Sequence, residues 1–266
     1  WNAAARLAAA RLLGDRGAAE DAVHGTDGVA AVGDAGLLAD GAWYEGENYH
    51  QFAHRGLWYG RRLAARAGLP LDASLARRHD AGFAVPFAVA LPDETLPSRR
   101  DSQYAVSLRQ WRWAEWAELG RTAARDAGDA TLEHAMDAML ARLYAPGAAP
   151  ARDTGRWRAT GEAERNEPAA ALDRAALGWR SLLFALAEPP RADSGPPAAT
   201  SDAAPRERAD GQGFAILRGD GGRLFASLDY GEGGGGHGHP DRLNLMLLDG
   251  RARWVDDPGA GSYVER

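Results

Sequence analysis

The sequence predicts an α+β chain with helices first and an antiparallel sheet second. Three observations predict it. Apolar residues recur at helical spacing over residues 1–188, and a stretch rich in Pro, Ala, Ser and Asp follows at 189–211. From residue 212 the apolar period becomes two, with glycine-bearing turns between the runs. The chain thus divides into a helical domain (1–188), a linker or long loop (189–211) and the start of a sheet domain (212–266).

Each helix has its own signal. Residues 3–13 are Ala/Leu-rich and stop at Gly14-Asp15. Residues 52–66 carry Leu57, Trp58, Leu63 and Ala64 near helical spacing and close at Gly68-Leu69-Pro70. Residues 104–126 and 130–144 give two more, the second with Leu132, Met136, Met139, Leu140 and Leu143 on one stripe. Residues 169–186 give the last. Successive antiparallel pairs of such helices are consistent with an α/α toroid, although no strict repeat is present.

The strands are as legible. Phe214-Ala215-Ile216-Leu217 and residues 223–228 flank Gly219-Asp220-Gly221-Gly222, a hairpin signature. Residues 243–248 and 251–255 flank Asp249-Gly250. If that dipeptide is the tight turn, Leu248 pairs with Arg251, Leu243 with Asp256 and Arg242 with Asp257.

Composition excludes several chemistries. The 266 residues contain no Cys and no Lys, so all 31 basic residues are Arg. Disulfides, thiolate catalysis and Schiff-base lysines are therefore absent. A net charge of −6 disfavours nucleic-acid binding by bulk charge. No apolar run reaches the roughly 20 residues that span a bilayer. Residues 1–6 begin in a helical pattern with no charged n-region or cleavage site, so no secretory signal is read here.

Chemistry concentrates in two segments. Gly231-Glu232-Gly233-Gly234-Gly235-Gly236-His237-Gly238-His239-Pro240-Asp241 precedes a strand rather than a helix and lacks a P-loop lysine, so it is no phosphate cradle. On an extended backbone His237 and His239 point to one side. Asp256 or Asp257 would return near His239, and His with carboxylate is a normal zinc set. Strict alternation favours Asp256.

The second segment is Asp40-Gly41-Ala42-Trp43-Tyr44-Glu45-Gly46-Glu47-Asn48-Tyr49-His50, a Gly-punctuated loop before a helix. Such loops are where substrates are met. Trp43, Phe52 and Trp58 are expected to pack, and Glu45 and Glu47 to be solvated. His24, His54, His79 and His134 read as surface or core histidines. Trp113 and Trp116, at helical spacing, read as core rather than as sugar platforms.

Taken in order, these stretches resemble the heparinase II/III-like polysaccharide lyases. Asp40-Gly41 with Trp43-Tyr44-Glu45-Gly46 and Tyr49-His50 is similar to one loop of that family. Leu91-Pro92-Asp93-Glu94-Thr95-Leu96-Pro97 with Asp101-Ser102 is similar to the next. Gly236-His237-Gly238-His239-Pro240-Asp241-Arg242-Leu243-Asn244-Leu245, followed by Asp257-Pro258-Gly259-Ala260-Gly261-Ser262-Tyr263, resembles the opening of its β-domain. The resemblance implies an N-terminally incomplete α/α toroid joined to an antiparallel sheet domain, here truncated. It implies an acidic polysaccharide or oligosaccharide substrate cleaved by β-elimination.

By the same resemblance Tyr49 and His237 are the catalytic pair, and Asn48, Trp43, Glu45 and Arg100 bind substrate. His239 and Asp257 hold a structural zinc, with Asp256 the alternative carboxylate and a third His ligand expected outside this chain. The group that neutralises the substrate carboxylate is expected upstream of Trp1, or at Asn2. A periplasmic or secreted location is suggested on the same footing. Two other readings remain: an α/α-toroid glycoside hydrolase using carboxylates such as Asp40 with Glu45, and a non-catalytic glycan-binding protein of the same fold.

Overall fold

The computed structural model describes residues 1–145, 172–191, 206–209, 211, 213–231, 242–257 and 259. They fall into two compact units, Trp1–Gly82 and Phe83–Arg266. The class is α+β, helical first and antiparallel sheet second, as the change in period predicts.

The first unit consists of α1 (Asn2–Leu13), α2 (Arg16–His24), α3 (Val29–Gly36), α4 (Glu47–Arg66) and α5 (Ala73–Gly82). Small side chains let α1 lie close to α2 and α4. Leu7, Ala10, Ala19, Ala22, Val23 and Ala64 form one buried cluster. Asp15 caps α2 by accepting from the Ala18 N–H at 2.9 Å, satisfying a first-turn donor that would otherwise have no partner. A second cluster unites Ala3, Val29, Leu37, Trp43, Leu57 and Leu75, with Tyr49 packed against it.

Helix α4 begins at Glu47, five residues before the apolar spacing announces it. Residues 47–51 are polar in type, yet Glu47 and His50 are buried. The expectation that Glu47 is solvated is thus corrected: the first turn of α4 faces inward.

The second unit opens with α6 (Val85–Val89) and a long loop. It continues with α7 (Trp111–Ala127), α8 (Ala130–Tyr144) and α9 (Trp179–Phe184). α7 and α8 form a helical hairpin closed by Gly128 and by Asp129, whose side chain accepts from the Leu132 N–H. Its core holds Trp113, Trp116, Met136 and Leu140, as their spacing predicts, together with Leu119. The Trp116 indole donates to the Phe83 carbonyl at 3.1 Å, and Arg121 pairs with Asp137 at 2.6 Å, both fully buried.

α7 starts at Trp111 rather than at 104. Residues 104–110 belong to the loop instead: Ser107 bridges Thr95, and Ala105 has φ 53, which no helix accommodates. Of the helix expected at 169–186, residues 169–171 lie outside the described residues. The remainder is a 3₁₀ turn (Arg174–Leu177) and α9, separated at Gly178.

The sheet is an antiparallel five-stranded meander in the order β1 (Arg206–Ala209), β2 (Phe214–Gly219), β3 (Leu224–Asp229), β4 (Asn244–Asp249) and β5 (Ala252–Val255). β1 lies inside the stretch read from composition as a linker. One face buries Phe214, Ile216, Phe225, Met246 and Leu248, while Leu217, Leu224, Leu245 and Leu247 on the other are exposed. The buried face meets residues 88–104. Arg218 donates to the carbonyls of Ala88 and Ala90 at 2.7 and 3.1 Å, and the Arg99 guanidinium lies 3.9 Å over the Phe214 ring.

The β4–β5 turn differs from expectation. Asp249 pairs with Ala252 and Leu248 with Arg253, so the loop residues are Gly250 and Arg251. Gly250 takes φ 57, a conformation that favours glycine at the first loop position. The register then shifts, because Leu247 pairs with Val255 and leaves Trp254 as an extra residue in a bulge.

Candidate functional site

Loop 40–46 folds back on the end of α3. Leu37 bridges Trp43, and the Tyr44 N–H reaches the Gly36 carbonyl at 3.1 Å. The Trp43 ring lies flat where a side chain at position 36 would be, since a Cβ there would fall 2.0 Å from it. This is packing, as expected for Trp43, and only 8% of the residue is exposed. What the indole offers is its N–H, donated to Glu45 at 2.7 Å. The Asp40 carboxylate accepts from the Ala42 N–H at 3.1 Å.

Immediately after the loop, Gly46 adopts φ 96 and α4 begins with no side-chain cap. Asn48 and Tyr49, both half-buried, stand in its first turn. Trp43, Glu45, Asn48 and Tyr49 of the sequence-derived set thus lie on one loop and the helix turn that follows it, all within the first unit.

Beneath them lies a column of imidazoles: His54 and His79, which the sequence marks as surface or core histidines, and His50 of the loop motif. The His50 and His54 rings are 5.1 Å apart, and His54 stacks on His79 at 3.9 Å with 10° between planes. His50 Nδ1 accepts from the Trp43 N–H at 3.0 Å, so Nε2 carries the proton and donates to the Gly82 carbonyl at 2.8 Å. His54 and His79 each donate from Nε2 to the other's backbone carbonyl, at 2.6 and 3.2 Å. Burial pushes all three below the ordinary imidazole value, His50 to about 4, so they are neutral at pH 7.

The second unit carries the other candidates. Arg253, on the buried face of β5, donates from Nε and NH2 to Asp93 Oδ2 at 3.1 and 2.7 Å. It donates to Thr95 Oγ at 2.7 Å and to both oxygens of Asp256 at 3.0 and 2.8 Å. Tyr104 donates its hydroxyl to Asp256 at 2.8 Å. Burial and that bond push the Tyr104 phenol up to about 12 despite the nearby Arg253. In a regular strand, residues three apart face opposite sides. The extra residue Trp254 returns Asp256 to the side of Arg253, which makes their ion pair possible. The strict alternation behind the Asp256 assignment therefore does not hold.

Asp257 meets this network through its backbone N–H, which donates to Asp256 Oδ1 at 3.0 Å. It is 2% exposed, accepts from the Asn244 side-chain amide and takes the Gly259 N–H at 2.8 Å. Gly259 presses on residues 98–104, where an added Cβ would lie 2.7 Å from the Ser102 carbonyl. Arg100 is buried and pairs with Asp229 at 3.8 Å; its φ of 59, with Glu94 and Ala105 also positive, marks this loop as tightly determined.

His237 and His239 lie outside the described residues. Their segment leaves β3 after Asp229, and Asp229 and Asn244 form the last pair of the β3–β4 ladder. Among the described residues, no three His, Asp or Glu side chains converge as a metal site, and no helix is long and apolar enough to cross a membrane.

Sequence reasoning passed over His50, Arg253 and Tyr104. The signal for Arg253 is an arginine set in an otherwise apolar strand, Ala252–Val255, three residues before an aspartate. Residues 202–266 match the model of a protein family described as heparinase II/III-like, C-terminal. No curated protein matches the chain.

Proposed function

We propose that this chain, whose residues 202–266 match the heparinase II/III-like C-terminal family model, acts as a polysaccharide lyase that cleaves a uronic-acid-containing glycan by β-elimination. The family match carries this reading, and the order of helices before an antiparallel sheet is in keeping with it. Tyr49 is the main proton carrier and His237 its partner.

The chemistry accounts for the residue types. A base removes the C5 proton, the C4–O4 bond breaks, a C4=C5 double bond forms, and O4 leaves with a proton from an acid. The C5 proton is barely acidic while the uronate is charged, so donors that neutralise the carboxylate stabilise the developing anion. The uncapped N-terminus of the 20-residue helix α4 adds positive potential beside Asn48 and Tyr49. Asn48 and Glu45, with the indole N–H of Trp43 behind Glu45, would orient the sugar hydroxyls.

A structural zinc belongs to this reading, with Asp257 as its one described ligand in the second unit. Asp257 is a buried carboxylate backed by an amide and a backbone N–H, the support that metal-binding carboxylates commonly have. It is bonded to Asn244, next to the segment carrying His239. Asp256 is committed to Arg253 and Tyr104, so Asp257 with His239 is the preferred pair. The metal would steady the loop that presents His237.

A panel of uronans assayed by ultraviolet absorbance on the intact protein tests this reading. Unsaturated uronate products support it. Saturated products would instead favour a glycoside hydrolase using Asp40 and Glu45, and binding without turnover would favour a glycan-binding protein.

A further inference from the structure

Loop 40–46 holds two of the four residues placed at the candidate site, and Asn48 and Tyr49 stand on α4. Two chain segments must therefore keep a fixed offset for the set to act together. Backbone bonds tie the loop to the end of α3, as in the Tyr44 N–H to Gly36 contact. From α4, the His50 side chain reaches back to the loop and takes the Trp43 N–H on Nδ1. Its other nitrogen is bonded to the Gly82 carbonyl at the end of α5. One rigid ring thus joins a loop and two helices, each contact being to backbone rather than to a mobile side chain.

The surroundings hold that ring in place. It is 1% exposed and rests on His54, which stacks in turn on His79. The three rings do not form a metal site, because the Nε2 proton of each goes to a backbone carbonyl. Arg61 donates to His79 Nδ1 at 3.2 Å and pairs with Asp80, closing the column at its far end. Accepting at Nδ1, as His50 does from the Trp43 N–H and His79 from Arg61, requires those two rings neutral and protonated at Nε2.

We propose that His50 is a positioning residue of the candidate site, clamping the Trp43 backbone to the first turn of α4 and so fixing Trp43 and Glu45 relative to Tyr49. This rests on Tyr49 being the proton carrier. His50 touches no reacting atom; it acts by holding the loop. Misplacing a catalytic set by about 1 Å can cost about 10²-fold in rate, so a clamp of this kind is visible in turnover.

The test separates the two ring nitrogens. Asn places an oxygen near the Nδ1 position and Gln places an amide near Nε2, so His50→Asn keeps the bond to Trp43 while His50→Gln keeps only the bond to Gly82. In the intact protein, His50→Asn is expected to retain slow exchange of the Trp43 amide proton and kcat close to wild type. His50→Gln should lose that protection and about 10²-fold in kcat, with KM little changed. Nitrogen-15 spectra of the wild-type imidazoles need no variant and should show His50 protonated at Nε2 at pH 7. A ring protonated at Nδ1, a His50→Gln variant that keeps Trp43 protected, or one that loses protection at wild-type kcat would each overturn the clamp. If the wild type eliminates no uronan, the reading of Tyr49 fails, while the tautomer and the exchange data still decide whether the clamp exists.

Discussion

The guanidinium of Arg253 donates twice to one oxygen of Asp93, at 2.7 and 3.1 Å, while its third nitrogen holds both oxygens of Asp256. A residue of the last described strand is thereby fixed to the loop that precedes α7. Its head group lies between two carboxylates, and its side chain is 13% exposed.

Removing that cation leaves two carboxylates with little access to water. Arg253→Met should destabilise the protein by about 3–5 kcal/mol, measured as a fall in the urea midpoint followed by circular dichroism. Arg253→Lys should recover little, because one ammonium cannot reproduce the fork that serves Asp93, Thr95 and Asp256 together. A Met variant as stable as wild type would show that the network contributes nothing net.

The imidazole column makes stability depend on pH in a defined direction. Burial holds His50, His54 and His79 below their unfolded value near 6.5; for His50 the Gly82 bond and Asp40 oppose the shift, while His79 adds to it. Around His54 and His79, Arg61 lowers further, and Asp80 opposes at His79. The unfolded chain therefore binds more protons than the folded one between about pH 6.5 and pH 4. Stability is complete above that window and is lost as pH falls through it, by about 3 kcal/mol for His50 alone. Urea midpoints at pH 7.5, 6.0 and 5.0 should fall in that order, before the carboxylates titrate; a flat series would contradict the assignment.

Tyr49→Phe removes one oxygen and leaves the packing of the ring against Trp43 and its neighbours. Turnover of a uronan by the intact protein should fall about 10²–10⁴-fold, with the circular dichroism spectrum of the folded protein retained. Full activity in the variant would remove Tyr49 from the chemistry.

The two neighbouring aspartates should behave differently toward metal. Asp257→Asn should lower the zinc content of the purified intact protein. Asp256→Asn should leave the metal in place and lower stability through Arg253. Equal zinc in all three proteins would refute the ligand assignment.

Legibility in the sequence followed the kind of force involved. α8 was readable to the residue, because its apolar stripe and the cap at Asp129 both lie within one helix. α3 was not, since five of the eight residues of Val-Ala-Ala-Val-Gly-Asp-Ala-Gly are Ala or Gly; its helix depends on contacts with Trp43 and Leu75. The start of α7 was placed seven residues early because Tyr104 and Leu108 carry helical spacing, yet the bridge between Thr95 and Ser107 claims that segment. At the candidate site, the assignment of Trp43, Glu45, Asn48 and Tyr49 rests on resemblance and on proximity in sequence. Arg253 meets Asp93 across 160 positions, and no local pattern records such a partner. His50 was hidden differently: its residue type was plain, but the use of each nitrogen depends on where Trp43 and Gly82 lie.

The bulge at Trp254 carries a consequence for how this segment tolerates changes in length. It works as a parity device: one unpaired residue decides whether everything after it faces inward or outward. Deleting Trp254 would leave the hairpin pairing intact up to Arg253, yet would turn the downstream acids over and separate Arg253 from the carboxylate it holds. Inserting one residue between Arg253 and Asp256 would do the same. Gains or losses between the Gly250 turn and Asp257 are therefore tolerable in twos and damaging in ones, so homologous chains are expected to keep the spacing here even where the residues themselves drift.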